Sequence, residues 1–283
     1  SVSVLGGILR FSNTNGLGPQ TAVMVGSGAT SGAISFTFTS NASTNLGLVF
    51  GGTTAGITIS NDSPFSTATV AFNGTIDTNA STTTRLLTLG GNQLGVNSVN
   101  RLGSTLTNGT GSASLGLIKA GNSSWEVTGN NTFTGGVNVN PGGTVQVANG
   151  GALGTGTLSL LGTNTTPATL DLSGSTTVAN NLALQGQSVI NAVTNIAAID
   201  ISSSLTSVTG SLNLTNVSDT VSGMGIRIGA TLSGASGVTL ANTSKATAAS
   251  VDGISGAGTI TSSNGAVSVT STTASTLAAQ AVN

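Results

Sequence analysis

The sequence predicts an all-β fold, a β-solenoid in which short strands stack coil upon coil. From Lys119 to Leu160, apolar couples two residues apart recur at nearly even intervals: Trp125 and Val127, Val137 and Val139, Val145 and Val147, Leu158 and Leu160. In an extended chain such couples share one face. Between them lie NNTFTGG, NPGG and NGGALGTG, which supply positive φ and tight reversals. Third, the side chains are small and neutral: 5 % of the chain is charged, 3 % is aromatic and 42 residues are Gly. A solenoid needs only a narrow core, because each Val, Leu, Ile or Ala packs on its counterpart in the next coil.

Strand signals run the whole length without a clear break. In order they are SVSVL, ILRFS, TAVMV, AISFTF, LGLVF, GITIS, ATVAF and RLLTL, then the 119–160 block. After it come ATLDL, NLALQG, SVINAV, AAIDIS, SLNLT, GIRIG, GVTLA, GTITS and AVSVTS. No apolar stripe of period 3.6 persists, and Gly, Asn and β-branched residues disfavour helix. Only Ser271 to Val282, rich in alanine, has the composition to turn helical or to pair elsewhere. Spacing of about eight to twelve residues suits a sandwich as well as a solenoid. The scarcity of the bulky residues that a sandwich core would need favours the solenoid, as does the 119–160 block. At roughly 20–25 residues per coil and about 4.8 Å per rung, the chain would form on the order of a dozen coils, a rod near 60 Å long. We expect one elongated domain, 1–283, whose portion 1–108 is less regular β structure, holds six of the seven Phe residues and is broader or sandwich-like.

The block 119–160 also resembles the passenger-associated repeat of bacterial autotransporters and related surface proteins. The matching elements are Lys119 with Gly121; Asn131, Thr132, Phe133, Gly135 and Gly136; Gly142 and Gly143; and Gly151, Ala152, Leu153 and Gly154. Phe133 stands where tyrosine is more usual. The resemblance implies a right-handed parallel β-helix displayed outside a Gram-negative-type cell. Nothing like the family's C-terminal membrane barrel follows, since the tail lacks an aromatic girdle and spanning strands.

Composition excludes several classes of function. Net charge is −1, and Arg10, Arg85, Arg101, Lys119, Arg227 and Lys245 are spread singly, whereas binding a phosphate backbone needs clustered cations. No apolar run approaches the length of a membrane span. Without cysteine, disulfide staples are impossible and stability rests on backbone ladders and stacking. Pro19, Pro64, Pro141 and Pro167 all fall beside turn residues. A chain opening on Ser1 fits a mature product after signal removal, and a fragment equally well.

Chemistry is sparse. His, Cys and Tyr, frequent agents of acid–base and nucleophilic catalysis, are absent. The carboxylates are Asp62, Asp77, Glu126, Asp171, Asp200, Asp219 and Asp252. Asp200 and Asp219 are about one coil apart, so they could stack, with Arg227 near, as a cation site of the kind polysaccharide lyases use. The plainer reading makes each a turn or edge residue. No calcium-binding nonapeptides occur, and we expect no catalytic, cofactor or metal residues. Trp125 and Phe133 read as core before they read as a sugar platform. Asn-x-Ser/Thr triplets at Asn41, Asn73, Asn79, Asn108, Asn122 and Asn164 are no more than such frequent Ser and Thr produce by chance. The glycine pairs Gly6–Gly7, Gly51–Gly52 and Gly90–Gly91 lack the following Lys-Ser/Thr of a phosphate loop.

The remaining function is one of surface and assembly. A coil stack offers unpaired backbone groups at its ends, and neither SVSVLGGILRFS nor GAVSVTSTTASTLAAQAVN carries a charged cap. The leading expectation is an extracellular, cell-surface structural protein whose copies join head to tail through β-strand contacts into a filament or sheath. A monomeric autotransporter-type adhesin or passenger fragment, with a surface glycan as partner, is the alternative; a polysaccharide lyase is the remote one.

Overall fold

The computed structural model describes residues 2–13, 22–54, 56–79, 82–92, 98–110, 113–163, 165–172 and 180, and between 182 and 271 the backbone of the strands named below. It is all-β, and no helix occurs among the described residues. The chain divides into two compact units, Ser1–Asn138 with Gly151–Gly156, and Val139–Gly150 with Thr157–Asn283.

The first unit holds β1 (Val2–Val4), β2 (Gly7–Phe11), β3 (Ala22–Gly28), β4 (Gly32–Phe36), β5 (Ala42–Thr44), β6 (Gly47–Gly52), β7 (Ile57–Asn61), β8 (Val70–Phe72), β9 (Ile76–Asp77), β10 (Arg85–Gly91), β11 (Val99–Leu102), β12 (Leu115–Lys119) and β13 (Ser124–Val127). They form three ladders, β1-β3-β6-β9, β2-β4-β7-β10-β12 and β5-β8-β11-β13. The pairings are parallel, and each strand bonds to its counterpart one coil on. The chain therefore winds around the ladders in turn, which is a parallel β-helix. The β1-β3-β6-β9 ladder enlarges these coils: Thr84 and Ser114, hydrogen-bonded across neighbouring coils, are 30 residues apart, beyond the 20–25 anticipated.

Register turns the alternation of the sequence into columns. Ile34, Ile59 and Leu89 lie side by side and are fully buried. Burying each such side chain contributes roughly 1.5–3 kcal/mol. Phe11 and Phe36 pair in register with ring centroids 5.7 Å apart, and Phe38 packs on Phe36 at 5.3 Å. Turns stack as well as strands. Gly91 (φ 116°) and Gly121 (φ 67°) lie in successive coils, where a Cβ on Gly91 would stand 2.1 Å from the Asn61 carbonyl oxygen and one on Gly121 2.6 Å from that of Gly91. Only glycine fits both the backbone angle and the separation.

Strand β14 (Val137–Val139) falls across the partition of the chain. The second unit continues with β15 (Thr144–Val147), β16 (Leu158–Leu161), β17 (Ala168–Leu172), β18 (Leu182–Gln185), β19 (Ser188–Ala192), β20 (Ile199–Ile201), β21 (Leu205–Val208), β22 (Leu212–Asn216), β23 (Ile226–Ile228), β24 (Leu232–Gly234), β25 (Val238–Asn242), β26 (Ile254–Ser255), β27 (Ile260–Ser262) and β28 (Val267–Ser271). Its ladders are β15-β17-β19-β22-β25-β28, β16-β18-β21, β20-β23-β26 and β24-β27, again parallel. One register column runs Val145, Leu170, Ile190, Leu214, Leu240, Val269.

Candidate functional site

The 119–160 block has its predicted interior. Trp125, Val127, Val137, Val139, Val145, Val147, Leu158 and Leu160 are all buried. Trp125 and Phe133 are fully enclosed, so neither ring is a platform for a sugar. The Trp125 indole N–H donates to the Gly90 carbonyl at 2.9 Å and to Ser123 Oγ at 3.2 Å, and Ser123 Oγ itself donates to Gly90 at 2.9 Å. A large apolar body with a satisfied polar tip is ordinary core chemistry for tryptophan.

Lys119 is the unexpected member. It ends β12 in register with Leu89, in the inward Ile34–Ile59–Leu89 column, and is fully buried. Its ammonium donates to the carbonyls of Ala120 (2.6 Å) and Gly121 (2.8 Å). Burial pushes its pKa down to about 7, while carbonyl acceptors favour the charged form. Arg85 is buried too: its guanidinium lies 5.5 Å from the Phe50 ring centroid and donates to the Gly52 carbonyl. Both are scattered single charges in the sequence, and nothing in their neighbours announces burial. Register explains it, since each occupies an inward strand position.

Buried asparagines replace missing backbone partners where strands give way to turns. Asn61 Nδ2 donates to the Ala68 carbonyl (2.8 Å) and to Asn100 Oδ1 (2.7 Å); Asn100 Oδ1 also accepts from the Val70 N–H, and its Nδ2 donates to the Ser124 carbonyl. Asn131 Oδ1 accepts from the Leu106 N–H at 2.7 Å, and its Nδ2 donates to the Ala152 carbonyl at 2.5 Å. An amide that both donates and accepts can bridge neighbouring coils.

The carboxylates are dispersed. Asp62 Oδ2 accepts from the hydroxyls of Ser35 and Ser60, each at 2.7 Å. Asp77 Oδ1 accepts from the Asn79 N–H at 2.8 Å, a local turn contact that supports the positive φ of Asn79. Glu126 Oε2 lies 3.8 Å from Arg101 Nε on the surface. Asp171 shares a register row with Gln146 and Asn191. Asp200 lies in register with Arg227 on β20 and β23, and Arg227 with Ser255 on β26. The anticipated stacking partner Asp219 lies outside the described residues, as do Asp252, Lys245 and Asn164. Among the described residues no three His, Cys, Asp or Glu side chains gather to hold a metal ion, and no helix is long and apolar enough to cross a membrane.

A different feature stands out at the first coils. Strands β2 and β5 each have a neighbour on one side only among the described residues. Against β5 opens an uncharged cleft of about 420 Å³, lined by Ser12, Asn13, Phe38, Thr39, Ser40, Asn41, Ala42 and Ser43. Asn41 Oδ1 already accepts from the Thr69 N–H at 2.9 Å. Leu5 and Ile8 nearby in the chain are 59 % and 57 % exposed, large apolar surfaces on a first coil with little charge to guard it. The sequence assigned no strand to Ala42–Thr44, since AST has no apolar alternation.

Comparison with known proteins places one part of the chain. A model of the passenger-associated-transport repeat matches residues 117–147, the run containing the end of β12 with β13, β14 and β15. The repeat is therefore present, and here it is built of parallel β-helix strands. No curated protein and no solved structure matches the chain.

Proposed function

We propose that this chain is an extracellular structural protein of the cell surface, of the autotransporter-passenger kind, whose copies join head to tail through β-strand contacts into a filament or sheath. The observation that carries the reading is the passenger-type repeat at 117–147 set among parallel ladders stacked coil upon coil. A parallel β-helix adds each coil to the last through backbone bonds that need no particular side chain, so a second copy can extend a ladder by the same chemistry. Heterologous contacts whose rotation does not close into a ring give filaments. Among the described residues, Asp62, Asp77, Glu126 and the buried Lys119 and Arg85 have structural partners, which favours a mechanical or adhesive role over catalysis.

Electron microscopy of the purified chain at neutral pH tests the proposal. Polymers are the expected result, and a field of dispersed short particles at high concentration would refute it. Protease shaving and antibody labelling of intact cells test the address: the chain should be reached without lysis. The passenger repeat by itself also supports a monomeric adhesin, which saturable binding of a surface glycan by single copies would favour.

A further inference from the structure

We propose that Phe65 is the stacking platform of a binding site for a neutral glycan, presented on a fixed turn beside the carboxylate of Asp62. The site needs no second copy, so it goes beyond the filament reading and stands or falls separately from it.

The aromatic residues single out this ring. All of them are described, and the other six Phe and Trp125 are at most 7 % exposed, whereas Phe65 is 48 % exposed. Trp125 and Phe133, the rings that the sequence offered as a sugar platform, lie inside, and the exposed ring is elsewhere.

The turn that carries Phe65 is built to hold it. Asn61 is fully buried, and its amide ties both ends of the turn: Oδ1 accepts from the Ser63 N–H at 3.0 Å and Nδ2 donates to the Ala68 carbonyl at 2.8 Å. Ser63 Oγ donates to the Phe38 carbonyl, one coil earlier, at 2.6 Å and accepts from the Phe65 N–H at 3.1 Å. The Phe65 carbonyl accepts from the Ala68 N–H at 3.2 Å, and Pro64 fixes φ just before the ring. Both peptide groups of Phe65 are therefore bonded within the protein, while its side chain meets solvent. Such preorganisation lowers the ordering cost of binding.

The surroundings select the ligand. Asp62 stands three residues before Phe65, hence within about 11 Å of it along the chain. Its Oδ2 is fixed by the hydroxyls of Ser35 and Ser60, each at 2.7 Å, and Ser35 is fully buried. The other oxygen, Oδ1, has no donor among the described residues, and a carboxylate oxygen is a strong acceptor for a hydroxyl. Pro64, Ser66 and Thr67 around the ring are exposed, so hydroxyls outnumber apolar groups there, unlike the desolvated apolar centre of a protein-docking anchor. The turn contains no Lys or Arg and its one charge is negative, which disfavours an acidic sugar. A neutral pyranose matches both features: its C–H face packs on the ring, and its hydroxyls donate to Asp62. One apolar surface with a few convergent polar groups is the usual make-up of a small-ligand site.

Full-length Phe65→Trp reads the site directly. Trp125, the one native tryptophan, is fully buried, so acrylamide should quench the introduced indole and spare the native one. Cellohexaose, chitohexaose or maltohexaose should shift the emission of the introduced indole and protect it from acrylamide in a saturable way. By calorimetry the wild type should bind at least one of these three. Phe65→Ala should weaken that binding about tenfold and Asp62→Asn several-fold, both with the β-sheet circular dichroism of the wild type, while Phe65→Tyr should retain it. No binding of any of the three by the wild type, undiminished binding by Phe65→Ala, or an introduced indole that acrylamide does not reach would each overturn the site. So would an oligogalacturonate that binds as tightly as the neutral probes. Loss of polymers in Phe65→Ala, with no glycan bound by the wild type, would assign the ring to a contact between copies and overturn the glycan site while leaving the filament standing.

Discussion

Replacing Lys119 by methionine tests the interior of the repeat through its pH dependence. The side chain is fully buried, and its pKa falls from 10.5 to about 7 through desolvation. Between those values the unfolded chain binds a proton that the folded chain does not, so stability rises with pH across that window. Below about pH 7 both states hold the proton and the penalty is constant. Integrating between pH 6 and pH 9 gives a gain of about 2.5 kcal/mol for the wild type, at 1.36 kcal/mol per unit. The bonds to Ala120 and Gly121 oppose the shift, so this is an upper figure. Lys119→Met removes the titrating group and with it the slope. Trp125, the single tryptophan, is buried in the following strand, so its fluorescence during urea unfolding reports on this region. The measured quantity is wild-type minus Lys119→Met stability at the two pH values. A difference that stays flat, or that falls as pH rises, would show that the ammonium remains charged throughout and that the carbonyl pair outweighs desolvation.

Other expectations concern single contacts. Asn131→Ala leaves the buried Leu106 N–H and Ala152 carbonyl unpaired, at a cost of about 1–3 kcal/mol for each group; faster amide exchange at Leu106 is the local readout. Gly91→Ala meets both a φ of 116° and the Asn61 carbonyl at 2.1 Å, so loss of soluble protein or a large fall in Tm is expected, and a wild-type melting curve would contradict the stacked turn. Glu126→Gln should change stability by less than about 1 kcal/mol, because the Arg101 pair is exposed and long; a larger effect in a double-mutant cycle would contradict that reading.

How much of this could be read without coordinates varies by element. Where apolar couples alternate between glycine-rich turns, as from Trp125 to Leu160, the inward face was legible residue by residue, because period two leaves each side chain one destination. Strands such as β5 (AST), β9 (ID) and β11 (VNRL) were not, since ladder bonding by a neighbouring coil can hold two to four residues extended whatever their propensity. The site followed the same division. That β2 would be a strand was visible in the apolar run ILRFS of the opening segment. That Ala42–Thr44 forms a strand beside Val70–Phe72 depended on which coil pairs with which.

By itself, then, the sequence determined the class of object: small neutral side chains at alternating positions, glycine where turns must stack, and a passenger-type repeat. Only the tertiary structure decided the register. Register sends Lys119 and Arg85 inward and seats Asp200 beside Arg227. The physical reason is that these outcomes depend on contacts between residues some 20–30 positions apart. Local composition specifies that a strand forms, and the neighbouring coil specifies what that strand lies against.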